Sequence, residues 1–480
     1  MTIITEQIKT GILYLRNKDY SKAENFFLNL VRRNPTNIQL YSYLIPAMIS
    51  QRKFKDALNF AEKLHNLNKN NELGLIYKGI INYNLENYNI ALDFFKKSIF
   101  INPKSFDALL NIGVTFRKLG ENAKAIKYFY EAADVKDDKS IVFYNLGSIY
   151  EEECDLDKAI SYYKRAISIN NQDYDSIHAI SLCQLTMQNY EDGFKNYECR
   201  WFKNNFEKYR YQNIARLRSL DSISEKKILI WYEQGLGDTI QFSRYINLLI
   251  NLGANVTFEV QEPLLSFLRR QFNCEVTHDA SKGNFDFQCP LMSLPYLFKM
   301  NIENIPKIHQ YFKCDDEKVK SWRNILNLSK DKKNLGIAIS GNMNQVFDYR
   351  RKIDLECFLT LNKHFKIFII QKSLYQKDEI LLNKTSDIIF LGKNTQWRNF
   401  DDTSAIVKNM DCIISIDTSL VHLAGSINKN TFLLLSEPAD WRWSHETLNG
   451  PKWYENVTII RKKNKNNWID TISELQKKLI

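Results

Sequence analysis

The sequence is short of residues that break regular structure. Its 480 residues include 16 glycines and 9 prolines, so long disordered or low-complexity tracts are not expected. Hydrophobic residues make up 44% and charged residues 25%, which is the balance of a globular chain. A chain of this length is too long for one ordinary hydrophobic core, and it therefore predicts two or three domains.

Metal-binding, redox and membrane signals are also missing. The eight cysteines form no CxxC pair, so the spacing of a zinc ribbon or a redox motif is absent. No apolar run approaches the length that spans a bilayer, and residues 1–6 lack the layout of a secretory signal. Scattered cysteines in such a chain are typical of reduced thiols. We expect a cytoplasmic protein with no metal site and no integral membrane segment.

The formal net charge of +11 raises the question of a nucleic-acid partner. The lysines are spread along the whole chain, and the densest cluster, residues 461–465, is short. No aromatic-basic pattern of an RNA-binding module is present. We interpret the charge as a dispersed surface charge and expect no nucleic-acid partner, whereas an anion such as a nucleotide diphosphate would use only a few of these cations.

The first half of the chain repeats itself with a period of 34 residues. Small residues recur at two positions of the repeat, and aromatic residues follow most of the alanines four positions later. The members are Gly11, Gly79, Gly113 and Gly147, then Ala23, Ala57, Ala91, Ala125 and Ala159, then Phe27, Phe95, Phe129 and Tyr163. This is the tetratricopeptide pattern, in which small residues let the two helices of a hairpin touch and aromatics fill the groove between them.

The repeats are expected to begin at Ile4, Ile38, Glu72, Phe106 and Ser140, with a degenerate sixth unit from Tyr174 that caps the array. Such arrays form a curved solenoid, and the usual role of the fold favours a protein or peptide bound on its concave face. A rigid spacer or a dimer contact is the alternative. The pattern predicts an α-solenoid of about six repeats over residues 1–207, followed by a linker over residues 208–225.

The second half alternates strands and helices. An apolar run at 227–232 is followed by a glycine turn, an amphipathic helix and a second strand at 256–260, which is a βαβ unit of a parallel sheet. Further strand-like runs lie at 335–340, 366–370, 388–391, 412–416 and 431–435. These runs predict two Rossmann-like halves, over residues 226–325 and 326–480, and two such halves facing each other describe the GT-B architecture.

A glycine turn follows the first strand. Gly235 and Gly237 let the backbone bend sharply and approach a ligand, and Asp238 then lies near the helix N-terminus. Three interpretations are open. In the first, the turn is half of a dinucleotide fingerprint, whose third glycine is replaced by Ile240. In the second, Asp238 caps its helix. In the third, Asp238 is a catalytic carboxylate at the carboxyl end of a strand, where open α/β sheets bind ligands.

A second turn carries a cluster of polar residues. The predicted strand 412–416 is followed by Asp417, and Thr418 and Ser419 then open a helix that contains His422 one turn later. Free N–H groups at a helix start, together with two hydroxyls, form an anion site to which the histidine can contribute. The alternative is a capped helix whose histidine is packed in the core, and the residues alone do not separate the two.

The stretch 415–425 resembles the nucleotide-sugar site of glycosyltransferase family 9, the heptosyltransferases. The chain is also similar to bacterial proteins that fuse tetratricopeptide repeats to a family 9-like module. This similarity is carried by the same stretch together with the stretches 233–242, 289–295, 339–342 and 440–443. The resemblance implies a metal-independent GT-B enzyme with a nucleoside-diphosphate sugar as donor and without a cofactor. It also implies that Asp238 is the candidate general base. We take Glu233, in the same turn, as the reserve carboxylate.

The donor-binding residues implied by the resemblance are Asp417, Thr418, Ser419 and His422, with a basic residue among Arg350, Arg351 and Lys352. Ser419 stands where heptosyltransferases usually have glycine, so the resemblance leaves open a donor other than ADP-heptose. The leading hypothesis is a glycosyltransferase whose repeat arm holds the acceptor, which we expect to be a protein. The alternatives are a non-catalytic interaction scaffold with a degenerate transferase fold, and a transferase that acts on an envelope saccharide.

Overall fold

The chain divides into two compact units, Met1–Ile177 and His178–Ile480. The computed structural model describes residues 2–203, 209–306, 312–341, 351–385, 388–444, 453–462 and 467–479. The predicted boundary between repeats and linker, at 207/208, lies outside the described residues. Within the described part of the chain, no helix has both the length and the apolar character that crossing a bilayer requires.

The first unit is a series of helical hairpins, each of which spans one predicted repeat. Its helices are α1 Thr2–Arg16, α2 Tyr20–Arg33, α3 Ile38–Ser50, α4 Phe54–Leu67, α5 Leu73–Asn84, α6 Tyr88–Ile101, α7 Phe106–Lys118, α8 Asn122–Ala133, α9 Ser140–Glu152, α10 Leu156–Ile169 and α11 Tyr174–Thr186, which continues into the second unit. The first helix of each hairpin starts within two residues of the predicted repeat start. The repeat solenoid is therefore confirmed.

The repeat residues pack as the pattern predicts. The five alanines of the register are fully buried, and so are the aromatic residues that follow them. A Cβ atom placed on Gly113 would lie 2.5 Å from the ring of Phe129, and one on Gly147 would lie 2.6 Å from the ring of Tyr163. Glycine is needed at these positions because the aromatic side chain of the second helix occupies the space of a Cβ on the first.

The second unit contains two sheets whose described strands are all parallel. The first sheet has the order β3-β2-β1-β4 and the second the order β10-β9-β8-β5-β6-β7. The strands are β1 Lys227–Trp231, β2 Asn255–Glu259, β3 Glu275–Thr277, β4 Phe287–Pro290, β5 Lys333–Ala338, β6 Phe365–Ile369, β7 Ile388–Phe390, β8 Cys412–Ser415, β9 Thr431–Leu435 and β10 Val457–Arg461.

Helices cover these sheets, as parallel sheets require, because their strands are apolar on both faces. The helices are α12 Tyr190–Tyr197, α13 Leu236–Phe242, α14 Ile246–Asn251, α15 Glu262–Arg269, α16 Leu294–Leu297, α17 Asp316–Ile325, α18 Gln376–Leu382, α19 Phe400–Asn409, α20 Ser419–Ser426 and α21 Ile469–Leu479, and short 3₁₀ helices include Glu198–Phe202 and Trp441–Trp443. One hydrophobic core contains residues from both sheets and from α12. The prediction of an α/β second half is confirmed, while its GT-B architecture stays a prediction.

The strand order determines where a ligand can bind. In the second sheet the chain runs outward from β5 through β6 to β7, and outward in the other direction from β8 through β9 to β10. The crevice between the carboxyl ends of β5 and β8 is therefore the switch point at which open α/β sheets bind ligands. The turn with Asp417 and Thr418 follows β8 directly.

Candidate functional site

A cleft of about 830 Å³ lies at the carboxyl ends of β1, β5 and β8. It brings together two turns that are almost 180 residues apart in the sequence. The predicted site residues that line it are Gly235, Gly237, Asp238, Arg351, Asp417, Thr418, Ser419 and His422. The lining also includes Ser340 after β5 and Pro263 in α15, so both sheets contribute to one cavity.

The glycine turn lies directly against the second turn. Gln234 has a φ of 63°, and Gly235 is the N-cap of α13. A Cβ on Gly237 would lie 2.9 Å from Cδ2 of His422 and 3.5 Å from Cα of Ser419. A side chain at this position would therefore separate the start of α13 from the start of α20, which gives a physical reason for the glycine.

Asp238 has two partners. Its Oδ2 atom accepts a hydrogen bond of 2.9 Å from the N–H of Gly235, the N-cap residue, so Asp238 contributes to the cap of α13 from the third helical position. Its Oδ1 atom forms an ion pair with the guanidinium of Arg442. Burial raises the pKa of Asp238, and the charge of Arg442 and the N–H of Gly235 oppose the rise. Capping does not exclude a second role, because the same carboxyl group also lines the cleft.

Arg442 connects several groups at this end of the cleft. It is 7% exposed and donates from Nη1 to Asp440 at 2.8 Å and from Nε to Gln241 at 2.8 Å. Its guanidinium lies 4.4 Å from the ring centroid of Trp441. The stretch 440–443 belongs to the motifs that carry the resemblance, but the sequence alone assigns Arg442 no role, because its partner Asp238 is 204 residues away.

The second turn presents a helix start to the cleft. Thr418 is the N-cap of α20, and its hydroxyl accepts from the N–H of Leu420 at 3.4 Å. The hydroxyl groups of Ser415 and Thr418 are 3.2 Å apart, which fixes the threonine side chain. Ser419 follows at the first position of the helix and lines the cleft. The N–H groups of Leu420 and Val421 both bond to Thr418, and the positive end of the helix dipole at this turn favours an anion.

His422 is both packed and at the cleft wall. It is 4% exposed, stacks on Trp443 with ring centroids 5.5 Å apart, and has Nδ1 3.1 Å from the hydroxyl of Tyr454. Burial lowers the pKa of His422 well below its usual value, and the charge of Arg442 adds to the effect. The imidazole is therefore neutral at physiological pH and acts as a hydrogen-bonding group, not as a cation.

Asp417 and Arg351 are linked through the backbone. Arg351 donates from Nη1 to the carbonyl oxygen of Asp417 at 2.7 Å. Burial, together with repulsion from Asp440, raises the pKa of the Asp417 carboxyl to about 6. Its Oδ1 atom is 3.9 Å from Nε2 of His422. The structure thus brings one of the three candidate basic residues, Arg351, to the cleft.

The other candidates lie elsewhere. Lys352 is not among the residues that line the cleft. Its ammonium group is 3.1 Å from Asp354 and 3.3 Å from Asp378, and 4.1 Å from the ring centroid of Tyr375. Arg350 lies outside the described residues. Glu233 is fully buried and is paired with Arg200, so the reserve carboxylate is not at the cleft surface.

Sequence reasoning also missed two cations that line the cleft. Lys372 and Arg398 are exposed and line the cleft. The ammonium group of Lys372 lies 4.0 Å from the ring centroid of Trp397. These residues follow β6 and precede α19, and no local motif marks them. Only the strand order, which places β6 beside β5, would have suggested them.

Comparison with known proteins gives matches to repeat proteins. The tetratricopeptide-repeat family matches residues 104–172. Anaphase-promoting complex subunit 3 of Schizosaccharomyces pombe is 23% identical over 198 residues, covering 34% of this chain and 30% of that protein. A TPR repeat-containing protein of Methanocaldococcus jannaschii is 22% identical over 196 residues, covering 37% and 34%. The chain thus spans about a third of the length of these curated relatives.

Solved structures give distant matches to the same kind of protein. A thermophilic TPR protein of Thermus thermophilus has a TM-score of 0.36 at 19% identity, covering 38% of this chain and 98% of that one. The APC/C hetero-tetramer Cut9–Hcn1 has a TM-score of 0.37 at 18% identity, covering 42% and 40%. The match of the repeat family and the hairpins of the first unit agree: the N-terminal part of the chain carries tetratricopeptide repeats.

Proposed function

We propose that the second unit is a GT-B-type glycosyltransferase with a nucleoside-diphosphate sugar as donor, and that the repeats bind a protein or peptide acceptor. The observation that carries the proposal is the contact between the glycine turn and the start of α20 in one cleft. It brings a carboxyl group, Asp238, to the same cleft as a helix start and the hydroxyls of Thr418 and Ser419, which suit a diphosphate. A base in that position can take the proton of an acceptor hydroxyl.

The charges around the cleft support a transfer without a metal ion. Arg351, Lys372 and Arg398 line the cleft, and cations of this kind can stabilise the charge of a departing nucleoside diphosphate. Turnover should therefore persist in excess EDTA. Loss of turnover on chelation, with recovery on adding Mg²⁺ or Mn²⁺, would argue against this type of transferase.

The donor site can be tested by calorimetry with nucleoside diphosphates and their sugars, after a thermal-shift screen has found the preferred base. The double variant Thr418→Val with Ser419→Ala should weaken binding by about 1–3 kcal/mol, because it removes hydroxyl contacts to the phosphates. Asp315→Ala is a matched control, since Asp315 caps α17 by accepting from Glu317 and Lys318. Unchanged nucleotide affinity in the double variant would contradict the assignment of the donor site to Thr418 and Ser419.

A second candidate function is a scaffold that binds a nucleotide sugar without transferring the sugar. The ion pair of Asp238 with Arg442 favours it, because a carboxylate paired with a cation is a weaker base. The two functions differ in one measurement. A scaffold would bind the donor and show neither donor hydrolysis nor transfer to any protein of the source cell, whereas a transferase would show slow hydrolysis at least.

A further inference from the structure

A buried ion pair lies behind the cleft, outside the residues that line it. It joins the 3₁₀ helix Glu198–Phe202 to the turn after β1. We propose that Arg200 is a positioning residue for the glycine turn, so that the sixth repeat hairpin belongs to the catalytic machinery and not to the acceptor-binding arm. The functional meaning of this inference rests on the proposed transferase activity, and its structural part can be measured independently.

The contacts of Arg200 satisfy all five of its N–H donors, including one from Nη1 to the carbonyl oxygen of Tyr197 at 3.1 Å. Arg200 is fully buried and donates from Nε and Nη2 to the two carboxylate oxygens of Glu233, both at 2.8 Å. Further bonds run to Glu198 at 2.7 Å and to the hydroxyl of Ser293 at 2.9 Å. The guanidinium also lies 4.6 Å from the ring centroid of Tyr197. A bidentate pair of this kind fixes orientation as well as distance.

Glu233 transmits this constraint to the turn. Its Oε1 atom also accepts from the N–H of Met292 at 2.9 Å, so the side chain cannot rotate freely. The next residue, Gln234, adopts a φ of 63°, a conformation that a non-glycine residue keeps only where its surroundings impose it. Its side chain donates to the hydroxyl of Tyr197 in α12, and its carbonyl oxygen accepts from Gln261 at 3.2 Å.

The hairpin therefore holds the turn through two consecutive residues, Glu233 and Gln234. Arg200 fixes Glu233 and Tyr197 fixes Gln234, and the chain then enters Gly235 and reaches Asp238 within three further residues. The ion pair of Arg200 with Glu233 is not needed for burial alone, because apolar residues of similar volume replace a buried ion pair with little loss of stability. The charge pair is explained by the orientation that it imposes.

The test therefore measures two things separately: the stability of the protein and the order of the glycine turn. The double variant Arg200→Met with Glu233→Met removes the pair but keeps the volume, and should keep the melting temperature. Hydrogen exchange then reports the turn, because the N–H of Gly235 bonds to Asp238 at 2.9 Å and the N–H of Thr239 bonds to the carbonyl of Gly235 at 3.2 Å. We expect exchange at these two amides to accelerate by about tenfold or more.

The control is Glu24→Gln in the first unit. Glu24 is 7% exposed and pairs at 2.6 Å with Lys53, whose side chain is exposed, so its loss reports the general effect of removing an ion pair from a buried carboxyl group. In this control, exchange at Gly235 and Thr239 should stay as in the unaltered protein. Unaltered exchange in the Arg200/Glu233 double variant would overturn the proposal, whether or not the single variant Arg200→Met folds.

Kinetics form the second arm of the experiment. If the protein turns over a donor, the double variant should lower kcat by about tenfold or more while leaving the KM for the donor unchanged, because the donor contacts lie on α20. Equal loss in the Glu24→Gln control would contradict a specific role for Arg200. If the unaltered protein turns over no donor, the proposed function fails, and the exchange measurement still decides whether Arg200 orders the turn.

Discussion

At the scale of single residues, Asp238 combines a structural and a proposed chemical role. Its carboxyl group caps α13 and also faces the cleft. Asp238→Asn can still accept from the N–H of Gly235 but cannot take a proton. We expect the transfer rate to fall by about 10²–10⁴-fold, with nucleotide affinity unchanged and the melting temperature nearly unchanged, because Asn caps as well as Asp and Arg442 keeps its pair with Asp440. Rate, affinity and melting temperature measured together check the three parts.

Asp440→Asn is the control for that variant. It removes another carboxylate partner of Arg442 but leaves the carboxyl group of residue 238 in place. Equal rate losses in both variants would show that the charge balance around Arg442 matters, and not the base. A folded and fully active Asp238→Asn enzyme would end the catalytic assignment.

Asp417 predicts a pH dependence of stability. Its pKa in the folded protein is raised to about 6, whereas the unfolded value is about 3.9. Between these values the folded state keeps a proton that the unfolded state has lost, so stability falls as the pH rises through this window. Relative to Asp417→Asn, the unaltered protein should lose about 1–2 kcal/mol between pH 4 and pH 6. Urea unfolding at several pH values measures the difference, and parallel profiles would contradict it.

Some residues of the site were predictable and others were not, for a physical reason. The Asp238 and Asp417 turns each carry a local signal, a glycine turn or a helix start after a strand, so the sequence marks them. Arg442 and Arg200 carry no such signal, since an arginine becomes a site residue only through the partner that folding brings to it. Those partners lie 204 and 33 residues away.

At the scale of elements, the repeat hairpins depend on glycines that admit an aromatic ring. In Gly113→Ala the new Cβ would lie 2.5 Å from Phe129. The gain in helix propensity is about 1 kcal/mol, while overpacking costs about 1–3 kcal/mol, so we expect a net loss of stability. Adding Phe129→Leu, which shortens the ring side chain, should recover part of the loss. A double-mutant cycle by chemical denaturation measures the coupling, and additive effects would exclude the contact.

Strands were predicted where the sequence carries a continuous apolar run. The runs predicted around β1, β2, β5, β6, β7, β8 and β9 agree with the structure to within two residues at each end. The strands that were missed are β3, β4 and β10. β3 has three residues and β4 has four, and each contains polar residues, so both lack the continuous apolar run that marks the equally short β7. β10 lies at the edge of its sheet and is only partly buried, so it lacks the continuous apolar run of a central strand.

At the scale of the whole molecule, the two-part organisation follows from two local patterns, a 34-residue period and strand–helix alternation. The boundary between the two parts does not follow from these patterns. The compact units divide at Ile177/His178, inside α11, whereas the sequence pattern continues the array to residue 207. The difference arises because α12 has repeat-like spacing but packs on the α/β unit, with Phe194 5.6 Å from Trp441 and 6.3 Å from Phe242 between ring centroids.

The boundary predicts how truncated chains behave. A fragment of residues 178–480 retains α12 and Arg200, and it should unfold cooperatively on heating. A fragment of residues 209–480 lacks both. It leaves Glu233 buried without its arginine, a change that costs about 3–5 kcal/mol, and it removes the aromatic packing of Phe194 and Tyr190, which adds about 3–5 kcal/mol for each large side chain.

These losses together are comparable to the whole stability of a domain, about 5–15 kcal/mol. The shorter fragment should therefore be aggregated or unfolded at 25 °C by circular dichroism, while residues 178–480 and the repeat fragment 1–177 each give a cooperative transition. Adding Glu233→Met to the shorter fragment removes the unpaired charge and should recover only part of the loss. Equal melting temperatures for the two α/β fragments would show that α12 belongs to the repeat arm, as the 34-residue period alone suggests.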